Sequence, residues 1–151
     1  MQTFEQVKDV IDYNKKLHDR LRKYYLALNE KSQSDRVKLL LNYLIEDQRH
    51  TEETLASFEA VTQQSILDTW LQYAPSIDLH QLIDSHPIRA EMSMDEIVQL
   101  ICEFGEAFVN FFQEAANESE LPKISQIFQN LVAMETEAKN KQLRAASFED
   151  M

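Results

Sequence analysis

Apolar residues recur along the chain with a period near 3.6 in four long stretches, the spacing that gives a helix one buried face. The first stretch predicts a helix over residues 3–31. Val7, Val10, Leu17, Leu21, Tyr24, Tyr25 and Leu28 form its stripe, and Thr3 with Gln6 has capping-box spacing. The second predicts a helix over 34–62, with Ser34 as N-cap, Asp35 in the first turn, and Val37, Leu40, Leu41, Leu44, Thr51, Leu55 and Phe58 along one face. The third covers 93–118. Ser93 and Glu96 make a second capping box ahead of Ile97, Ile101, Phe104, Phe108, Phe111, Phe112 and Ala115. The fourth covers 122–147, entered through Pro122 and carrying Ile124, Ile127, Phe128, Leu131, Met134 and Ala138. The last residues, Ser147 to Met151, continue no apolar period and are expected to fray.

The connections decide the topology. Only a few residues separate the first helix from the second and the third from the fourth, so each pair is an antiparallel hairpin. The second and third are joined by residues 63–92, a crossover broken at Pro75 and Pro87, with a short helical candidate, Ile77 to Asp84, between them. A connection of that length lets the third helix run parallel to the second. The expected fold is all-α: a single domain over 1–151, a ferritin-like four-helix bundle of two antiparallel hairpins joined by a long crossover.

An internal repeat points the same way. A shift of 87 residues brings Val10 onto Ile97, Leu17 onto Phe104, Leu21 onto Phe108, Tyr24 and Tyr25 onto Phe111 and Phe112, and Leu40 and Leu41 onto Ile127 and Phe128. Residue type and loop position agree together, so the repeat marks which positions of each hairpin face the bundle centre.

Composition narrows the function classes. One glycine and three prolines in 151 residues suit long helices. A net charge of -11 repels phosphates, which argues against nucleic acid and anionic membranes as partners. The N-terminal residues lack the basic and apolar regions of a signal peptide, and no run is long enough to span a bilayer, so a cytoplasmic protein is expected. Cys102 is the only cysteine, which leaves no internal disulfide. Without a Gly-rich phosphate loop, nucleophile elbow or Cys-x-x-Cys pair, nucleotide-dependent and nucleophilic catalysis lack their machinery.

The aromatic doublets Tyr24-Tyr25 and Phe111-Phe112, the segment Leu40 to Glu53 and the segment Phe128 to Lys141 resemble the rubrerythrin-like branch of the ferritin-like superfamily. That resemblance implies a pair of iron or manganese ions between the helices. Its ligands would be one Glu from each of the first and third helices and a Glu-x-x-His pair from each of the second and fourth. Residues i and i+3 share a helix face, so one turn can offer a carboxylate and an imidazole to one cation. In this chain the slots fall on His18, Gly105, Gln48 with Thr51, and Glu135 with Ala138. Only Glu135 keeps the ligand type. A divalent pair needs several anionic ligands to offset its dehydration, and glutamine, threonine, glycine and alanine do not supply them.

Three readings follow. The first is a bundle that has lost the dimetal centre, binds no cofactor, and acts as a non-catalytic binding or structural module, as a homodimer through a helix face or the crossover. In it, Gln48 hydrogen-bonds Glu135 or His18, and Phe104 and Phe108 fill the space at Gly105. The second shifts the register of the second helix by one residue through a π-bulge, so that His18, Asp47, His50 and Glu135, with Glu106 in reserve, hold iron or manganese for an oxidoreductase or metal-storage protein. On a regular helix, however, Asp47 and His50 face solvent. The third turns the emptied centre into a small-molecule pocket lined by Tyr24, Tyr25, Phe104 and Phe108.

The remaining polar features have plainer expectations. His80 and His86, with Asp78 and Asp84 nearby, are expected on the surface of the crossover. Glu52, Glu53, Lys139, Lys141 and Arg144 read as a solvated face. Trp70, Leu71 and Tyr73 read either as the seal of the bundle beneath the crossover or as an exposed anchor for a partner.

Overall fold

The computed structural model describes residues 5–73, 75 and 78–149, with the side chains of residues 148 and 149 left out. Among the described residues six helices occur: α1 (Val7–Lys31), α2 (Asp35–Val61), α3 (Gln64–Leu67), α4 (Leu79–Asp84), α5 (Met94–Glu118) and α6 (Pro122–Glu149). The four long ones are those the apolar period predicts. None is long and apolar enough to cross a membrane.

The helix starts follow the expected capping chemistry with one change. Ser34 Oγ accepts from the Val37 amide at α2, and at α5 Ser93 and Glu96 form the predicted capping box. At α1 the expected cap at Thr3 lies outside the described residues. Gln6 is the N-cap of α1, and it forms a box with Asp9. The C-terminal expectation needs correction: α6 stays helical to Glu149 rather than fraying after Ser147. Ala146 is buried, and with Leu143 it lines a groove shared with Met94 and Val98 at the start of α5, so the last turns of α6 are held by packing.

Ring contacts fix the direction of the helices. Tyr13 stacks on Phe111, His18 on Phe108, and Tyr24 meets Phe104 edge-on, so α5 descends as α1 rises. With α1 antiparallel to α2, α2 and α5 run parallel, as the crossover requires. The core between the four helices holds the stripe residues of α1 and α5 in full, those of α2 but for the half-buried Phe58, and Ile124, Phe128 and Leu131 of α6.

The crossover is tied down at several points. The Val7 amide donates to Thr69 O at 3.0 Å and the Leu71 amide to Glu5 O at 2.7 Å, an antiparallel bridge that pairs Gln6 with Trp70. Further on, Arg20 pairs with Asp84 at 2.9 Å, the Tyr24 hydroxyl donates to the carbonyl of His86 at 3.0 Å, and His86 Nε2 meets Glu103 at 2.5 Å. His80 is exposed, while His86 is half-buried in this clamp. The expected seal is split: Leu71 is buried, but Trp70 and Tyr73 are exposed.

Candidate functional site

The first-helix slot of the repeat is occupied by a histidine with no room to move. His18 is 2 % exposed, on the inner face of α1. Its Nδ1 lies 2.6 Å from Gln48 Oε1 on α2, and its Nε2 lies 2.8 Å from Glu135 Oε2 on α6, itself 3 % exposed. The ring lies flat on Phe108 of α5, with centroids 3.8 Å apart and planes 9° from parallel. One side chain thereby links all four long helices.

Both nitrogens face oxygen acceptors, an arrangement that satisfies the doubly protonated ring. Burial lowers the pKa of His18, but the Glu135 carboxylate, the hydrogen bonds to Glu135 and Gln48, and the charge of Glu52 together raise it above its ordinary value of 6.5. The protonated ring donates from Nδ1 to Gln48 and from Nε2 to Glu135. Glu52, half-buried nearby, is itself raised by burial and by Asp19, against the pull of Arg22 at 3.5 Å and of His18.

The opposite slot is closed in a different way. A Cβ on Gly105 would stand 2.5 Å from Cγ and 2.6 Å from Cδ of Lys139, so the lysine stem lies across the glycine. The expectation that Phe104 and Phe108 fill this space is corrected: the lysine stem fills it, while the two rings pack on Tyr24, Tyr25 and His18. Lys139 also leaves the solvated face on which it was expected. Its repeat counterpart, 87 residues earlier, is the half-buried Glu52.

The remaining slots contribute no cation ligands in this arrangement. Thr51 Oγ1 donates to Asp47 O one turn back on its own helix, at 3.0 Å. Asp47 is buried, against the expectation that it faces solvent, because Gln142 of α6 covers it and donates from Nε2 to its Oδ2 at 2.6 Å. His50 is exposed on α2, where it lines a surface groove with Asp47 and Lys141 outside the bundle centre, and Glu106 is exposed on α5. Of the four candidates the structure joins His18 to Glu135, places Asp47 in a separate buried pair, and leaves His50 outside. α2 is a regular helix through this region, without the π-bulge that would turn Asp47 and His50 inward. Among the described residues no group of three or more His, Cys, Asp or Glu side chains is arranged to hold a metal ion.

Between these side chains remains a cavity of about 10 Å³, lined by His18, Tyr25, Gln48, Glu135, Lys139 and Gln142 among others. That is room for one water, not for a small organic ligand. The Tyr25 hydroxyl is buried without a partner among the described residues, as are both amide atoms of Asn14 one turn before His18. Burial, with the nearby Tyr24 and Asp47, raises the Tyr25 pKa far above its ordinary value. The pairing of Gln142 with Asp47, and the Lys139 stem over Gly105, were not anticipated. A lone glycine in mid-helix marks a place where another group can approach closely, but nothing in the sequence names that group.

No protein-family model matches the chain, and no curated protein matches its sequence. Among solved structures it is similar to a Thermotoga maritima protein to which a ferritin-like diiron-carboxylate character is attributed. The two are 13 % identical over 97 % of this chain and 98 % of that one, with a TM-score of 0.61. The chain therefore has the ferritin-like fold, and the likeness runs through the crossover as well as the four helices.

Proposed function

We propose that this ferritin-like bundle has exchanged the dimetal centre for a hydrogen-bonded imidazolium and serves as a non-catalytic binding or structural module. The observation that carries the reading is the His18 ring, with one nitrogen on Gln48, the other on Glu135, and its face on Phe108. A metal pair would need those nitrogen and carboxylate lone pairs free, and a separation of about 3.5–4 Å between the two ions. As placed, the residues do not fit it. His18 is engaged at both nitrogens, the lysine stem covers Gly105, Thr51 bonds its own helix, and the residual space is about 10 Å³. In the slot pattern of the rubrerythrin-like branch, the single positive charge of His18 stands where cations would bridge the helices, and Glu135 keeps a counter-charge. Self-association through a helix face or the crossover belongs to the same reading.

The test is metal content. The untagged protein, produced in medium supplemented with iron and manganese, is expected to carry no stoichiometric metal by elemental analysis. Its melting temperature should not change on adding Fe(II), Mn(II) or Zn(II), since a ligand of the folded state must stabilise it. A stoichiometric metal that disappears in Glu135→Ala would overturn the proposal in favour of a metal-dependent oxidoreductase or storage protein. Small-molecule binding in the centre would require the cavity to open well beyond the room for one water.

A further inference from the structure

At the end of the bundle where α5 turns into α6, the crossover presents the chain's only tryptophan. Trp70 is 65 % exposed, yet its backbone is held on either side: the Thr69 carbonyl accepts from the Val7 amide, and the Leu71 amide donates to Glu5 O. Gln6 Nε2 adds a bond to Asp68 O at 3.0 Å, and Leu71 is buried next to Trp70. A large aromatic ring on a fixed backbone loses little entropy when it is covered, the property of an interface anchor. Facing it, the α5–α6 turn sets out Leu121, also exposed, and between them lies a groove of about 200 Å³ whose floor includes Leu71 and Ile124.

The rim of this groove is acidic and uncompensated. Glu118 and Glu120 line it, both are exposed, and neither has an ion-pair or hydrogen-bond partner among the described residues. Glu118 closes α5, whose last turn has no basic residue, so its charge adds to the negative end of the helix dipole. The cation across the crossover, Lys8, is held by Asp68 at 3.3 Å. The groove thus combines an apolar floor, an indole face and two free carboxylates.

We propose that this groove docks a basic, amphipathic segment of a partner protein. Aliphatic side chains of the segment fill the floor. Its lysines or arginines lie on the Trp70 face and against Glu118 and Glu120, where cation–π and charge complementarity act together. A second copy of this chain is the poorer occupant, because a two-fold contact sets Glu118 and Glu120 against their own copies within a protein of net charge -11. This proposal goes beyond the reading of the bundle centre and is independent of whether metal binds there.

The single tryptophan makes the experiment direct, since every change in indole emission comes from Trp70. The intact protein is titrated at low salt with a short, aromatic-free peptide of lysine and leucine pairs, and in parallel with the same peptide carrying glutamate for lysine. A saturable blue shift with the lysine peptide and none with the glutamate peptide is expected. The affinity should fall about tenfold or more in Glu118→Lys/Glu120→Lys and on raising salt through the screening range. Circular dichroism of the variant checks that the helices persist, and the salt arm holds whatever the variant does. An unchanged emission up to the solubility limit, an equal response to the acidic peptide, or salt-independent binding would each overturn the proposal. So would concentration-dependent self-association, seen by sedimentation and abolished by Leu121→Asp, since that assigns the groove to a second copy.

Discussion

Replacing Glu135 with methionine keeps the side-chain length and removes the charge that faces His18. The consequence follows from the geometry: both side chains are about 3 % exposed, and their nitrogen and oxygen are 2.8 Å apart. Removing one member of a buried pair leaves the other uncompensated, which costs about 3–5 kcal/mol. For a chain of this size each kcal/mol moves the melting temperature by about 2–4 °C, so Glu135→Met should melt roughly 6–20 °C below the parent. Removing both members with His18→Leu/Glu135→Met should recover part of the loss. It cannot recover all of it, because Gln48 then keeps a buried amide with no partner, at about 1–3 kcal/mol. Adding Gln48→Met should restore stability to near the parent value or above it. Urea unfolding of the four proteins, run with and without a chelator, measures the series. A loss below about 1 kcal/mol in Glu135→Met, or a triple variant no more stable than the single one, would refute the view that this network is a closed, mutually satisfied unit. A loss seen only in chelator-free samples would show that a metal, not His18, is the partner of Glu135.

Two further outcomes follow from the same site. The folded-state pKa of His18 is raised, so the stability it contributes is complete below the ordinary value of 6.5 and is lost as pH rises through the higher folded value. The difference in unfolding free energy between the parent and His18→Gln should therefore shrink from pH 6 towards pH 9, and a flat or growing difference would contradict the assignment. At the opposite slot, Gly105→Ala gains about 1 kcal/mol of helix propensity but forces Cγ and Cδ of Lys139 from 2.5 and 2.6 Å. The substitution should be neutral or destabilising in the parent and stabilising by about 1 kcal/mol in a Lys139→Ala background. Equal effects in the two backgrounds, measured by thermal unfolding, would mean that the stem does not lie where it is described.

The legible part of the sequence was whatever obeys a period. Val10 and Ile97, or Tyr24 and Phe111, sit on inner faces because the 3.6-residue stripe and the 87-residue repeat both place them there, and short turns at Ser32 to Ser34 and at Ser119 to Leu121 leave antiparallel pairing as the only course. The same counting located His18, Gln48 and Glu135 correctly at the centre. Their pairing was open only between two partners for Gln48, and the structure chose His18. What failed were two placements of single polar residues at the margin of a stripe, Asp47 and Lys139, while His50 stayed exposed as expected. Asp47 was expected in solvent because it lies at the edge of the second helix's apolar stripe on a regular helix, but burial at a helix–helix seam depends on what the other helix offers. Gln142, 95 positions away, offers an amide to Asp47. Lys139 was placed on the surface for its charge, yet a lysine is a hydrocarbon stem with a charged tip, and the stem found the gap that Gly105 leaves.

These two misreadings have one cause, and it bears on how the centre came to be stable. A bundle core that drops inward carboxylates must refill both their volume and their hydrogen bonds, and it can do so only with groups that reach across from other helices. Here the two repeat slots are closed differently: the slot of α1 holds His18, whose imidazole reaches across to Glu135 of α6, while the glycine slot of α5 is covered by a lysine stem from α6, its own hairpin partner. The repeat predicts two equivalent halves, and the residues at the two slots make them different, with a hydrogen-bonded imidazole buried in one and a lysine stem laid across the other. Such a pair of complementary replacements is self-consistent only as a set. This is why the single substitutions above are expected to hurt and their matched combinations to recover.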